Sequence, residues 1–270
     1  MIRTVEDRRD GDRRGGERRD RRELGEPIIE FKGVWKRFGK TKIYEDLNLT
    51  IHKGETLTII GGSGTGKSVM LKCLLRLLSP DQGSITAFGE EITGRDEKAM
   101  LPIRARIGML FQGAALFDSL NVKENIAYPL RQHGWTDEDK ILHRVQETLD
   151  MVNLPGVDHK WPAELSGGMK KRVGLARAIA IEPEVILYDE PTTGLDPTNV
   201  KNIDDMIIDL QKRLKVTSIV VTHDMGSAFR VSDRLAYLSN RRIDWVGFKD
   251  EVETTDSSSV RDFIHGNLDE

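Results

Sequence analysis

The sequence contains a single cysteine, Cys73, among 270 residues. One thiol excludes a disulfide within the chain and is typical of proteins from a reducing compartment. The apolar spacing around Cys73 predicts a packed core thiol. No apolar run reaches the roughly 18 residues that a membrane-spanning helix needs, and the N-terminus has no apolar signal core. We therefore expect a soluble chain that depends on a partner for any membrane function.

An excess of charge of one sign is also missing. The 41 Lys and Arg against 44 Asp and Glu leave a net charge of -3. This balance gives no reason to expect nucleic acid, and we expect no nucleic-acid partner. The length suits one large α/β domain, or one domain with a helical insertion.

Residues 1–26 form a charge-mixed segment in which the pairs Arg8-Arg9, Arg13-Arg14 and Arg18-Arg19 recur. Few apolar side chains are available there to offset the entropy of ordering, so we predict a disordered tail. A basic stripe for anionic lipid or nucleic acid is the alternative. It is less favoured, because nearly every arginine has an acidic neighbour.

The most specific pattern is GGSGTGKS, from Gly61 to Ser68. An apolar run precedes it and an apolar-periodic helix reaching Leu78 follows it. The spacing matches G-x-x-x-x-G-K-[ST], in which backbone N–H groups and a helix N-terminus bind phosphate. Lys67 is expected to reach the β- and γ-phosphates, and Ser68 to ligate Mg²⁺. The predicted nucleotide contacts are Gly61, Gly62, Ser63, Gly64, Thr65, Gly66, Lys67, Ser68 and Val69. A tight loop that carries Lys-Ser by chance is the alternative.

Partial alternation of apolar residues from Ile28 to Ile51 predicts two strands and a small antiparallel β subdomain. The turn between them carries Phe38, which could stack on an adenine ring. A half-buried loop phenylalanine is the alternative.

A strand is predicted over Ser84–Gly89, and a buried strand over 107–111 ends at Gln112. From Gly113 to about Trp161 the spacing is helical, which breaks the alternation of strands and helices. This insertion predicts a separate lobe, although a helical stripe can equally be ordinary core. At 165–169, LSGGM forms a second glycine turn that opens a helix to about Ile181.

The apolar run 185–188 predicts a central parallel strand that ends at Asp189 and Glu190. Ligands bind at this end of such strands, so we expect Asp189 to hold Mg²⁺, usually through water, and Glu190 to activate an attacking water. A solvated acidic turn fits the apolar run poorly. After GLDP at 194–197 and a helix from about Thr198 to Leu214, another buried strand ends at His223. This histidine is a candidate γ-phosphate sensor, with a structural histidine as the alternative.

In this order the motifs resemble those of the ATP-binding cassette (ABC) ATPase family over roughly residues 28–248. Gln112 is similar to its Q-loop, LSGGM to its signature, VILYDE to its Mg²⁺ strand and catalytic glutamate, GLDP to its D-loop, and His223 to its switch histidine. Phe38 matches the position of the aromatic residue that stacks on adenine in this family, where tyrosine is more usual. The resemblance implies an α/β ABC ATPase fold, with a RecA-like P-loop core, an antiparallel β subdomain and an inserted α-helical signature subdomain.

The implied domains are a tail at 1–26, an ABC ATPase domain at 27–248 with its helical subdomain at about 113–181, and a C-terminal tail at 249–270, for which a contact with a partner protomer is one option.

ATP and Mg²⁺ are the implied cofactors. A head-to-tail homodimer is implied, because the phosphate loop and the signature of one chain cannot close on the same nucleotide. The implied catalytic residues are Glu190, His223, Gln112 and Lys67. Ser68, Gln112 and Asp189 are the implied metal ligands, and Ser166, Gly167, Gly168 and Asp196 the remaining nucleotide contacts.

Three features resemble the ATPases of Mla/Mce-type lipid transport systems. They are Met169, at a signature position where glutamine is frequent, the stretch 111–130, and the C-terminal segment 260–266. This implies a phospholipid transporter at the cytoplasmic face of the inner membrane, with an integral permease, a mammalian-cell-entry-type substrate-binding protein and an accessory subunit. The apolar residues Leu116, Phe117 and Leu120 are the predicted permease contact. Another ABC solute importer or exporter is the alternative. A non-transport ABC protein is less favoured, since it would be expected to carry a long coiled coil or a second cassette.

Overall fold

The computed structural model describes residues 24–266. The disordered tail was predicted over residues 1–26, and residues 1–23 of it lie outside the described residues. Of the remainder, the Glu26 carbonyl accepts from the Lys53 amide at 2.9 Å, and the Gly25 carbonyl is hydrogen-bonded to the His52 ring at 2.8 Å. Two sheets and two groups of helices make up the fold.

The first sheet has four antiparallel strands in the order β2-β1-β4-β5. They are β1 (Pro27–Phe38), β2 (Thr41–His52), β4 (Gln82–Ala87) and β5 (Glu90–Glu91). This confirms the predicted antiparallel subdomain. The strand predicted up to Gly89 ends at Ala87, because Phe88 and Gly89 both turn the chain with positive φ, 55° and 77°.

The second sheet has six strands in the order β10-β9-β3-β8-β7-β6. They are β3 (Thr56–Ile60), β6 (Ile107–Leu110), β7 (Val185–Asp189), β8 (Thr217–Val221), β9 (Arg234–Ser239) and β10 (Arg242–Phe248). All neighbours are parallel except β10, which pairs antiparallel with β9. Because β3, β6, β7 and β8 run the same way, the residues that follow them meet at one edge of the sheet.

Three helices form a lobe between β6 and β7, namely α3 (Val122–Gln132), α4 (Glu138–Met151) and α5 (Gly167–Ile179). The residues at helical spacing in the sequence, such as Ile126, Val145 and Leu149, are fully buried. They belong to a core that also includes Leu110 and Tyr188 of the sheet. The lobe is therefore packed directly against strands that carry predicted site residues.

The remaining helices are α1 (Lys67–Leu74), α2 (Glu97–Arg104), α6 (Pro197–Leu214), α7 (Met225–Val231) and α8 (Ser258–His265). The prediction that the first helix reaches Leu78 is wrong. Arg76 takes a left-handed φ of 55°, and the amides of Leu77 and Leu78 both donate to the carbonyl of Lys72. This is a helix-ending turn, in which apolar spacing continues after the helix has stopped.

Residues 249–266, which follow β10, pack against the rest of the chain. Val252 and Val260 are buried in a small core with Ile60 at the end of β3. The rings of Tyr237 on β9 and Phe263 on α8 lie 4.9 Å apart. Within residues 24–266, no helix combines the length and the apolar character that crossing a bilayer requires.

Candidate active site

The glycine turn between β3 and α1 has the geometry of a phosphate cradle. Gly64 and Gly66 have φ of 77° and 106°, a region that side-chain-bearing residues rarely adopt. A Cβ on Gly66 would lie 2.6 Å from Ile43 Cγ2 of β2. From the same strand, the buried Tyr44 hydroxyl donates to the carbonyl of Gly66 at 2.5 Å. The turn is therefore fixed from behind by the antiparallel sheet.

Lys67 lies inside this turn. Its side chain is 8% exposed, and its ammonium donates to the carbonyls of Gly61 at 2.8 Å and Gly62 at 3.0 Å. Burial lowers the pKa of Lys67, while Glu190, 3.9 Å away, and Asp189 act in the opposite direction. The arrangement places a positive group where the turn would hold a phosphate.

Ser68 and Asp189 meet behind the turn. The Ser68 hydroxyl donates to the Asp189 carboxylate at 2.6 Å, and Asp189 is buried. A hydroxyl beside a carboxylate is the hard oxygen donor set that Mg²⁺ prefers. No group of three or more His, Cys, Asp or Glu side chains suited to a metal occurs within residues 24–266. The Ser68 hydroxyl and the Asp189 carboxylate are the side chains that would hold Mg²⁺ here.

Glu190 follows β7 directly and is 8% exposed. Its carboxylate oxygen Oε2 is bonded to His223 Nδ1 at 2.9 Å and accepts from the Thr193 hydroxyl at 3.1 Å. His223 follows β8, and its side chain is 61% exposed. The structure thus brings a buried carboxylate and an exposed imidazole together, as the ends of adjacent parallel strands should.

The cradle, the acid and the two sensor candidates share one cavity of about 330 Å³. Its lining consists of Ile43, Ser63, Gly64, Gly66, Lys67, Ser68, Val69, Gln112, Glu190 and His223. Phe38 is not part of this lining. It lies at the end of β1, is 46% exposed, and has the Lys36 ammonium 5.1 Å from its ring centroid.

The second glycine turn lies elsewhere. Ser166 caps α5, its hydroxyl accepting from the amide of Met169 at 3.3 Å. A Cβ on Gly168 would lie 2.9 Å from the Asn199 side chain, and Asp196 caps α6 beside it. Among the described residues that line the cavity, Ser166, Gly167, Gly168 and Asp196 do not appear. The signature and D-loop turns therefore adjoin each other and are separate from the cradle of the same chain.

A model of the ABC transporter family matches residues 44–193, which is more than half of the chain. This chain belongs to the ABC transporter ATP-binding family. It is similar to the probable ribonucleotide transport ATP-binding protein mkl of Mycobacterium leprae, 42% identical over 238 residues, 88% of this chain and 69% of that protein. It is also 41% identical over 260 residues to the chloroplastic protein TRIGALACTOSYLDIACYLGLYCEROL 3 of Arabidopsis thaliana, covering 90% of this chain and 74% of that protein.

The chain is 42% identical over 214 residues to the methionine import ATP-binding protein MetN of Brucella abortus, which covers 79% of this chain but only 58% of that protein. Among solved structures, the dimeric ATP-binding cassette MJ0796 bound to ADP and Pi aligns with a TM-score of 0.75 and 31% identity, over 82% of this chain and 98% of that one. The structure of cbiO1 from Clostridium perfringens aligns with a TM-score of 0.78 and 29% sequence identity. The alignment covers 87% of this chain and 93% of that one. The predicted ABC ATPase fold is confirmed.

The chain is accordingly an ABC ATPase that uses ATP and Mg²⁺. Cassettes of this family form dimers and work with membrane permease subunits. Dimer formation and work with a permease are thus stated for the family as a whole.

Four residues of the ABC ATPase site escaped the sequence analysis, namely Ile43, Tyr44, Thr193 and Lys171. Ile43 and Tyr44 belong to an alternating strand in which nothing marks them as neighbours of the cradle. Thr193 lies three residues after Glu190, a spacing at which a turn hydroxyl can bond back to the acid. Lys171 is on the buried face of α5, where a lysine is unusual, and this was the available signal.

Proposed function

We propose that this ABC ATPase drives a complex that moves phospholipid between membranes, from the cytoplasmic face of the inner membrane. The observation that carries the proposal is the similarity over 90% of the chain to an Arabidopsis protein named after a galactolipid. The Mla/Mce-like stretches at 111–130 and 260–266 support it. The names of other relatives point to ribonucleotide and methionine transport, so a solute transporter is the second candidate.

In the proposed mechanism, Lys67 and the amides of the glycine turn bind the β- and γ-phosphates. Ser68, Asp189 and Gln112 would hold Mg²⁺, and the ion would supply neutralisation of phosphate charge. Glu190 orients or deprotonates the attacking water. His223, bonded to the Glu190 carboxylate, reports on the γ-phosphate with Gln112. Phosphoryl transfer requires positioning and charge neutralisation, and the cavity supplies both.

The signature turn would act on the nucleotide of a second chain. Ser166 and Gly167 are exposed at the start of α5, where main-chain amides point outward. The cradle that needs an anion-stabilising partner is lined by other residues of the same chain. In a head-to-tail pair of copies, the signature turn of each chain would face the cradle of the other. Closed two-fold symmetry produces both of these contacts at once.

The permease contact is proposed for an aromatic patch formed by Phe117 and Tyr128. Their rings lie 4.9 Å apart, and the two residues are 43% and 42% exposed. The fully buried Asn125 side chain accepts from the Phe117 amide at 2.8 Å and donates to the Leu120 carbonyl at 2.9 Å. Of the three residues predicted to be exposed here, only Phe117 is; Leu116, which packs against the lobe core, and Leu120 are partly buried.

The loop that precedes the patch, at Ala114 and Ala115, is also held by side-chain hydrogen bonds. Arg177 of α5 donates to the carbonyls of Ala114 and Ala115 at 2.8 and 2.7 Å. The patch therefore follows Gln112 through a fastened segment, and movement of Gln112 on hydrolysis would be passed to whatever docks there. Exposed aromatic groups on a rigid support are typical of a protein contact.

Replacing Phe117 with aspartate should weaken assembly with the permease, because the joint would then bury an unpaired charge. We expect co-purification of the membrane partner to fall by on the order of 10-fold or more, with ATP affinity unchanged. Leu101→Asp places the same charge on an exposed apolar position of α2, outside the lobe, and should assemble normally. Wild-type assembly by Phe117→Asp would show that the docking site is elsewhere.

The cargo is tested on the complex purified from its native membrane. We expect mass spectrometry to find phospholipid bound to the complex, and phospholipid vesicles to stimulate its ATPase activity. A mammalian-cell-entry-type protein and an accessory subunit should be present among the partners. Stimulation by methionine or a ribonucleotide instead, without bound phospholipid, would favour the second candidate and overturn the lipid proposal.

A further inference from the structure

Lys171 is a buried cation to which the mechanism above gives no role. It lies on α5, one helical turn beyond the signature glycines, and is 5% exposed. Its ammonium donates to the main-chain carbonyl of Gln112 and to that of Glu190, the latter at 3.0 Å. Within residues 24–266 its hydrogen-bond acceptors are these two carbonyls. Burial lowers the pKa of Lys171, so the charge is maintained there against a desolvation cost.

The main chain of Glu190 needs such support. Its φ is 49°, in the left-handed region that residues with a side chain rarely adopt. Conformations of this kind persist where the surroundings determine them. The Glu190 amide donates to the Val221 carbonyl at 2.9 Å, and the Glu190 carbonyl accepts from Lys171. Both ends of the residue are thereby fixed, and with them the direction in which its carboxylate leaves the main chain.

The same ammonium also fixes the main chain of Gln112. Gln112 lies two residues after the end of β6, and Glu190 follows the last residue of β7, so one lysine joins the segments that leave two adjacent strands. Lys171 is carried by neither strand but by the helix that begins at Ser166 and Gly167. A shift of this helix would therefore change both carbonyl contacts together.

We propose that Lys171 is a positioning residue: by bridging the carbonyls of Gln112 and Glu190 it holds the Glu190 carboxylate in its productive orientation. The inference rests on the role proposed for Glu190 as the group that activates water. Because the signature turn and Lys171 share α5, the contact also links the turn offered to the partner's nucleotide with the acid of its own chain. Engagement of one site would then favour the productive geometry of the other.

The test compares Lys171→Met, which keeps a long apolar stem but has no donor, with Lys170→Met on the same helix. A positioning role predicts that Lys171→Met lowers kcat by on the order of 10-fold or more, while the Kd for ATP stays within about threefold. Lys170→Met should leave both constants near wild type. Lys171→Gln retains a neutral donor and should give an intermediate kcat. If Lys171→Met does not fold, Lys171→Gln carries the comparison.

A second arm separates positioning from general support of the fold. In a Glu190→Gln background the carboxylate is already gone, so adding Lys171→Met should cause no further loss of turnover. Unchanged kcat in Lys171→Met, a parallel loss of kcat, ATP affinity and Tm, or a further loss in the double variant would each overturn the proposal. Near-normal hydrolysis by Glu190→Gln alone would instead refute the role of Glu190, which is a distinguishable result.

Discussion

Glu190→Gln should bind ATP and fail to hydrolyse it. The substitution keeps the size of the side chain and a hydrogen bond with Thr193 or His223, but the amide cannot accept the proton of the attacking water. We expect turnover to fall by on the order of 10²-fold or more. Since hydrolysis would normally remove the phosphate that bridges the two chains, the variant should accumulate as an ATP-bound dimer. Steady-state phosphate release and size-exclusion chromatography with and without ATP measure the two effects.

Glu91→Gln provides the matched control. Glu91 is exposed on the short strand β5, and the same change of acid to amide there should alter neither turnover nor the elution profile. Near-normal hydrolysis by Glu190→Gln would remove Glu190 from the role proposed for it. Loss of ATP binding in that variant would show that Glu190 acts mainly in ground-state binding.

Lys67→Ala should lose ATP itself. In the structure the Lys67 ammonium is held by the carbonyls of Gly61 and Gly62, so it is already positioned inside the turn before phosphate arrives. Removing it deletes the buried positive charge that faces the phosphates. We expect the Kd for MgATP to rise by on the order of 10²-fold, because charge-assisted hydrogen bonds in a desolvated site are among the stronger contacts. Isothermal titration calorimetry measures this directly.

Lys72→Ala is the control for that measurement. Lys72 lies on the same helix, α1, but its side chain is exposed, so its loss should leave ATP affinity within about threefold of wild type. Equal affinity in Lys67→Ala and wild type would contradict the phosphate-binding role of the cradle. A reduced Tm without nucleotide would indicate that Lys67 serves chiefly to brace the turn.

Motifs that follow buried strands were the most predictable part of the molecule. Gln112 and Asp189 come directly after an apolar run, and Glu190 and His223 follow such a run with one residue between. Parallel packing of those runs leaves one edge at which all of them end, so the sequence contains the proximity of these residues implicitly. The cavity that holds Gln112, Glu190, His223 and the glycine turn was predictable for this reason.

Contacts that depend on packing between distant elements were not predictable. Lys171 reaches the Gln112 carbonyl across 59 residues of sequence, and a main-chain carbonyl leaves no trace in residue identity. The α1 helix stops at Leu74 because Arg76 adopts a left-handed turn, although the apolar spacing continues. Phe38 lies outside the cavity that the phosphate loop lines, so its contact with adenine stays a prediction.

The central claim is that two chains complete each ATP site, and a crosslink between them tests it most directly. Ser63 in the cradle and Ser166 at the signature are both exposed. The one native thiol does not interfere, because burial raises the pKa of Cys73 to about 11. Differently tagged Ser63→Cys and Ser166→Cys chains, both in the Glu190→Gln background, are mixed and treated with a short thiol crosslinker.

The head-to-tail arrangement predicts a crosslinked species containing both tags when MgATP is present, and little of it without nucleotide. A Ser119→Cys chain, with its thiol exposed in the loop before α3, replaces Ser166→Cys in the control and should give no such species. Failure of Ser63→Cys and Ser166→Cys to crosslink in MgATP, in a preparation that binds ATP normally, would contradict the composite site.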